Sequence, residues 1–291
     1  MVHLKTALHA LIELVCAGTL AIPAPSIPLP PLLVRDVERL NKSILQPALP
    51  DLSPGLIANL NGSIEKIKRW DNGMINEDCK KWMTSIGAVN LKTDVEMYNI
   101  TFSDCAQPWV MCRHKFASYK IDATAVAFAR IPVLMRSHIR HVIMLPATNH
   151  NGKSISNDLD NVVVMGDPTF HEFVVGVAKS MDSHGFDRTV GPFSKSPKWQ
   201  SAFDRDTAVP NSLASLNQQE NLAQLVAIAL YDTHVPNGIK GVVPQWEKIR
   251  NQYEEIEKDA FNNEFTEYGE REGLKCKDRA RDSEIIPVWR G

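Results

Sequence analysis

Val174-Val175-Gly176-Val177-Ala178-Lys179-Ser180-Met181-Asp182 sits inside the strongest helical pattern of the chain. Phe170, Phe173, Val174, Val177, Ala178 and Met181 recur at spacings of three and one, which traces a single apolar face that must pack on a core. Asp167 is a natural N-cap and Pro168 suits a first turn, so the helix is predicted to start there. The positions of Val175 and Lys179 read differently. Residues four apart share a helix face, and two histidines at that spacing, with a glutamate beside the first, make a zinc-binding helix. Here Val175 and Lys179 stand where the imidazoles belong, Gly176 where the glutamate belongs, and Asp182 three residues beyond Lys179. An alkyl group and a protonated amine have no lone pair for a cation. The pattern therefore predicts the frame of a metal helix without its chemistry.

The chain has 291 residues, 44% of them hydrophobic and 23% charged, which suffices for one large domain with a core or a main domain with an appendage. Its 32 basic and 34 acidic side chains leave no bulk field to gather phosphate polymers or anionic lipid, so neither nucleic acid nor membrane surface is an expected partner. No stretch has the roughly 20 uninterrupted apolar residues of a membrane span. The start resembles a secretory signal over residues 1–24: Lys5, an apolar run from Leu11 to Leu20 and small residues near Ala21 and Ala24. Asn41-Lys42-Ser43, Asn61-Gly62-Ser63 and Asn99-Ile100-Thr101 are glycosylation acceptors, in keeping with secretion. Loss of the leader removes Cys16 and leaves Cys79, Cys105, Cys112 and Cys276, an even set for two disulfides in an oxidising compartment. Cys79 is expected to pair with Cys112 or Cys105, and Cys276 to staple the tail.

Pro23, Pro25, Pro28, Pro30 and Pro31 form an extended run. Behind it, Leu33, Val37, Leu40 and Ile44 share one helical face, and Ile57, Leu60, Ile64 and Ile67 share another behind Ser53-Pro54. Residues 25–75 are accordingly expected to be a Pro-rich segment with a helical hairpin, an N-terminal appendage to a main domain over 76–291. In that domain Val95–Phe102, Trp109–Cys112, His141–Leu145 and Asn161–Met165 read as strands. Helices are expected from Asp122 towards Arg140 with a restart at Pro132, after Ser196-Pro197, over Leu216–Tyr231 and over Gln245–Phe261.

Asp78-Cys79-Lys80-Lys81-Trp82, Asp94 to Thr101, Asp104-Cys105 and Trp109-Val110-Met111-Cys112-Arg113 resemble the fungal conidiation-specific protein 13 family of secreted proteins. Asp206-Thr207-Ala208-Val209-Pro210-Asn211, followed by Asn217-Gln218-Gln219-Glu220-Asn221-Leu222-Ala223-Gln224, resembles that family's stretch VPDxYAxxNxxEDFAQ, itself similar to the third-ligand helix of lethal-factor-like zinc peptidases. The resemblance covers residues 78 to 235. It implies an α+β, helix-rich zincin-like metallopeptidase fold with a small mixed sheet and a central pair of helices, with Glu220 at the third metal-ligand position. Leu213 stands where a tyrosine would supply a phenol.

Glu220 and Asp182 alone cannot build a nitrogen-rich tetrahedral site, so no catalytic residue, no metal and no cofactor are expected. With the cleft retained, the Lys179 ammonium would face Glu220 in place of zinc; the alternative is a solvated Lys179 with Glu220 engaged on its own helix. A rival register makes His171 a ligand and Glu172 a base, with zinc as cofactor and Glu220 completing the set. Against it, both His171 and Glu172 read as exposed first-turn residues. His138 and His141 lie beside Arg136 and Arg140, which disfavours a bound cation, and Trp82, Trp109 and Trp199 read as core rather than as a carbohydrate surface. The expected function is that of a secreted, extracellular pseudo-peptidase, a monomer that binds a protein or cell-wall component. The competing classes are an active secreted zinc metallopeptidase and a structural wall or spore-associated protein.

Overall fold

A computed structural model describes residues 39–71, 73–87, 90–147, 155–186, 191–260 and 279–288. The signal-like start, the proline run, Cys16 and Cys276 lie outside the described residues. The strands are β1 (Ser43–Ile44), β2 (Ile64–Arg69), β3 (Met74–Asn76), β4 (Val95–Phe102), β5 (Cys105–His114), β6 (His141–Leu145), β7 (Ile155–Asp158), β8 (Asn161–Met165), β9 (Ala208–Val209) and β10 (Ile285–Pro287). The helices are α1 (Ser53–Asn59), α2 (Glu77–Ser85), α3 (Leu91–Asp94), α4 (Ile121–Arg130), α5 (Val133–Ser137), α6 (Phe170–His184), α7 (Pro197–Arg205), α8 (Gln218–His234) and α9 (Arg250–Ala260). The architecture is α+β, with a six-stranded mixed sheet in the order β2-β4-β5-β6-β8-β7. Its centre, β5-β6-β8, is parallel, and the strands at both edges run antiparallel to their neighbours.

The central strands are apolar on both faces because both faces are covered. In β6, Val142 and Met144 enter the larger core while Ile143 and Leu145 enter the smaller; β8 splits Val162 and Val164 from Val163 and Met165 in the same way. The larger core lies under α4, α6 and α8. Beneath α2 the smaller one is tied by the Cys79–Cys112 disulfide, which joins α2 to β5. Helix α8 is buried from Asn221 to Tyr231 without interruption, so it is apolar nearly all round rather than amphipathic. It packs beside α6, and α1 rests on both.

The segment before residue 76 differs from the expected helical hairpin. Ile57 and Leu60 belong to α1 and its cap, but Ile64 and Ile67 lie in β2, the edge strand paired with β4. Gly62 makes the turn between them possible: a Cβ there would lie 1.8 Å from the Ala129 carbonyl oxygen. Further on, β3 pairs with β10 near the other end of the chain. The described residues from 39 to 75 thus belong to the one compact unit that spans Val37–Gly291.

Helix α6 also starts later than expected. Its N-cap is Thr169, not Asp167: the Thr169 hydroxyl accepts from Glu172 N at 3.2 Å, and Glu172 Oε2 accepts from Thr169 N at 2.7 Å. This is a reciprocal capping box, which satisfies two otherwise orphaned donors.

Candidate functional site: a cleft between two helices

Helix α6, the first turn of α8, the Leu49–Asp51 segment ahead of α1, and Ile155 at the start of β7 enclose a cleft of about 420 Å³. The sequence positions singled out at the start converge here: His171, Glu172, Val175, Lys179, Leu213 and Glu220 all line it. Their polar neighbours are Asn211 and Gln224, whose amides bond each other at 2.8 Å.

Lys179 Nζ donates to Glu220 Oε1 at 2.8 Å, with 13% and 15% of the two side chains exposed. Of the two arrangements open in the sequence, the structure holds the pair. Asn217 caps α8 by accepting from Glu220 N at 2.8 Å, and this fixes the turn that carries the carboxylate. A charge pair at this depth is partly desolvated and depends on both members being present.

Gly176 does not face the cleft. A Cβ on it would lie 2.8 Å from Ile155 Cδ1 and 3.5 Å from Val162 Cγ1, so its lack of a side chain lets α6 sit close on β7 and β8. Asn157 ties that approach by donating to the Gly176 carbonyl at 3.0 Å and to Ser180 Oγ at 2.9 Å. Asp182 is also turned away into structure. Its carboxylate accepts from Ser194 N at 2.7 Å and Ser194 Oγ at 2.8 Å, pinning the turn Phe193–Lys195. Burial raises its pKa, and the Ser194 bonds oppose that rise.

His171 and Glu172 are not the exposed pair expected of a first helical turn. His171 is buried at 9% exposure, because its backbone N–H donates to Ser53 Oγ of α1 at 2.9 Å and α1 covers this end of the helix. Burial lowers its pKa, so the imidazole is neutral, and its Nε2 is buried without a hydrogen-bond partner. The Glu172 carboxylate is half-buried and held by the capping box. Zinc is the ion that the resemblance to zinc peptidases implies, and the donor set does not fit it. Val175 and Lys179 cannot ligate, Glu220 is engaged by Lys179, and Glu172 reaches back to its own helix cap. Among the described residues no three His, Cys, Asp or Glu side chains are grouped to hold a metal.

The remaining sequence candidates fall elsewhere. His138 caps α5 whereas His141 opens β6, so they do not share a helix face. Ser283 N donates to His141 Nε2 at 3.0 Å, which leaves the Nδ1 proton for the Val110 carbonyl at 3.2 Å; the residue docks the tail on the sheet. Trp109 and Trp199 are fully buried and Trp82 packs on the smaller core. Asp206 is buried and caps the start of α9 by accepting from Asn251 N and Gln252 N at 2.8 and 2.9 Å. Among the acceptor asparagines, Asn41 and Asn61 are exposed, while Asn99 is part-buried in β4 and accepts from Trp70 Nε1 at 2.8 Å. Cys105 is disulfide-bonded too. Among the described residues no helix is long and apolar enough to cross a membrane.

Leu49, Pro50, Asp51 and Ile155 have no site signal in the sequence, since they reach the cleft from distant parts of the chain. The capping box, missed by reading Asp167 as the N-cap, has a signal in the spacing of Thr169-Phe170-His171-Glu172.

The molecule is thus an α+β domain with a helix-walled cleft floored by a charge pair. Comparison with known proteins adds its family. The family model for Conidiation-specific protein Con-13 matches residues 49–271, more than half of the chain, and the chain belongs to that family. A curated relative, Conidiation-specific protein 13 of Neurospora crassa, is 25% identical over 189 residues. That alignment covers 62% of this chain and 53% of the relative, so the chain matches about half of the relative's length. No solved structure matches the chain.

Proposed function

We propose that this protein is a secreted pseudo-peptidase: a zincin-like frame that has lost its metal ligands and uses the cleft to bind. One observation carries the reading. Lys179, at the position of the second imidazole, forms a 2.8 Å ion pair with Glu220, at the position of the third ligand, on two adjacent helices around a cleft of about 420 Å³. The cationic amine neutralises a carboxylate that a divalent ion would otherwise neutralise, while offering no Lewis acidity and no activated water. Secretion is supported by the Cys79–Cys112 disulfide and by the exposure of Asn41 and Asn61. The name of the Neurospora crassa relative supports a setting in conidiation.

The experiment is metal analysis and peptide hydrolysis on the purified chain incubated with excess zinc. Less than a tenth of an equivalent of zinc retained after dialysis, with no hydrolysis, is expected. Stoichiometric zinc that is lost in His171→Ala would replace this reading with the active zinc peptidase.

A further inference from the structure

The same cleft specifies the chemistry of its occupant, an inference that rests on reading the cleft as a binding site. We infer that it takes a small non-anionic molecule with a compact apolar body and one hydroxyl group.

Size comes first. About 420 Å³ falls within the roughly 300–1,000 Å³ of small-molecule sites. The walls come next: Leu49, Pro50, Ile155, Val175 and Leu213 line the space, and Leu213 is 40% exposed at its rim. An apolar body that covers them removes hydrocarbon surface from water on both partners.

Charge then excludes anionic heads. Among the described residues the ionisable groups around the cleft are Asp51, His171, Glu172, Lys179 and Glu220. Lys179 is answered by Glu220, and burial lowers the His171 pKa, which leaves Asp51 and Glu172 as a negative pair without an ion-pair partner among the described residues, and this opposes an anion. Each carboxylate holds a local donor with one oxygen. Asp51 Oδ1 accepts from Ser53 N at 3.0 Å and Ser53 Oγ at 2.6 Å, and Glu172 Oε2 from Thr169 N at 2.7 Å.

The polar handle is His171. Among the described residues it is the cleft-lining one whose side chain holds a buried atom, Nε2, without a hydrogen-bond partner, and leaving such an atom unsatisfied is unfavourable. A hydroxyl both donates and accepts, so it satisfies Nε2 in either neutral tautomer, whereas a hydrocarbon satisfies it in neither.

The test uses three probes that share one ring system: naphthylmethanol, naphthoate and methylnaphthalene, titrated into the full chain by ligand-observed NMR. Naphthylmethanol is expected to bind at least about 5-fold tighter than either of the others, the ratio of one net hydrogen bond. That preference is expected to disappear in His171→Phe. Leu213→Trp changes an exposed rim residue, keeps the fold independent of the buried imidazole, and is expected to block all three probes. If naphthoate or methylnaphthalene matches the alcohol while Leu213→Trp still blocks binding, the ligand class is wrong and the cleft remains a binding site. If no probe binds, or binding is indifferent to Leu213→Trp, the hydroxylated ligand and the cleft reading fall together.

Discussion

One buried and one half-buried ion pair flank the larger core, and they are built to opposite specifications. Arg136 of α5 is fully buried, donates to Asp104 and to the Ile131 carbonyl, and is ringed by Phe102, Trp109 and Phe128 at 4.8 to 5.6 Å. Lys179 and Glu220 have similar chemistry, yet each keeps some exposure and both face open space. The first pair is sealed by aromatic rings whose faces attract the guanidinium. The second is left beside a cleft that a larger residue at Val175 or Leu213 would have filled. The difference teaches where the molecule leaves room: the Arg136 charge is enclosed by packing, and the Lys179–Glu220 pair is left reachable from a cleft.

The comparison breaks most visibly at the sealed pair. Arg136→Met strands Asp104 without its cation, and an uncompensated buried charge costs about 3–5 kcal/mol; urea unfolding of the variant is expected to show that loss. Lys179→Met removes the corresponding cation at the cleft, where water can solvate Glu220, and about 1–2 kcal/mol is expected in the same assay. Equal losses in the two variants would mean that the cleft is as closed as the aromatic cage.

A third pair joins two carboxyl groups. Glu257 of α9 hydrogen-bonds Asp232 of α8, and its pKa is pushed up to about 8, first by burial and then by the Asp232 charge. Asp232 itself accepts from Ile239 N at 2.6 Å, holding the turn after α8. With the folded pKa above the unfolded value of 4.5, the protonated carboxyl stabilises the fold fully below about pH 4.5. That contribution is lost as pH rises towards 8. Glu257→Gln mimics the neutral acid, so it is expected to match wild type near pH 4 and to exceed it at pH 9 by about 1 kcal/mol after solvent screening. Thermal melts at the two pH values check this, and a gap of the opposite sign would place the proton elsewhere.

Much of this fold was legible from local pattern. The apolar stripe of α6, the runs of β6 and β8 and the long apolar stretch of α8 each specify their element, because a buried helix stripe and a doubly covered strand leave distinct periods. The failures share one cause. Ile64 and Ile67 are spaced as on a helix, but β2 is an edge strand with an irregular register between Ile64 and Lys66, so its half-buried residues fall three apart. The four residues of β7 are mostly polar and gain their place from β8 and from Asn157 bonded to α6. At the site, the Lys179–Glu220 pair could be read once two helices were aligned on a known motif. His171 could not be, since its burial depends on Ser53, far away in the chain.

The central claim is that Val175 and Lys179 occupy a ligand frame from which two imidazoles are missing. The direct measurement is the zinc-dependent shift in melting temperature of wild type and of Val175→His/Lys179→His, which sets two histidines one helical turn apart opposite Glu220. The double variant is expected to take up one zinc and to gain about 4 kcal/mol at a thousandfold excess over Kd, while wild type does not shift. A folded double variant that ignores zinc, or a wild type that melts higher with it, would contradict the claim.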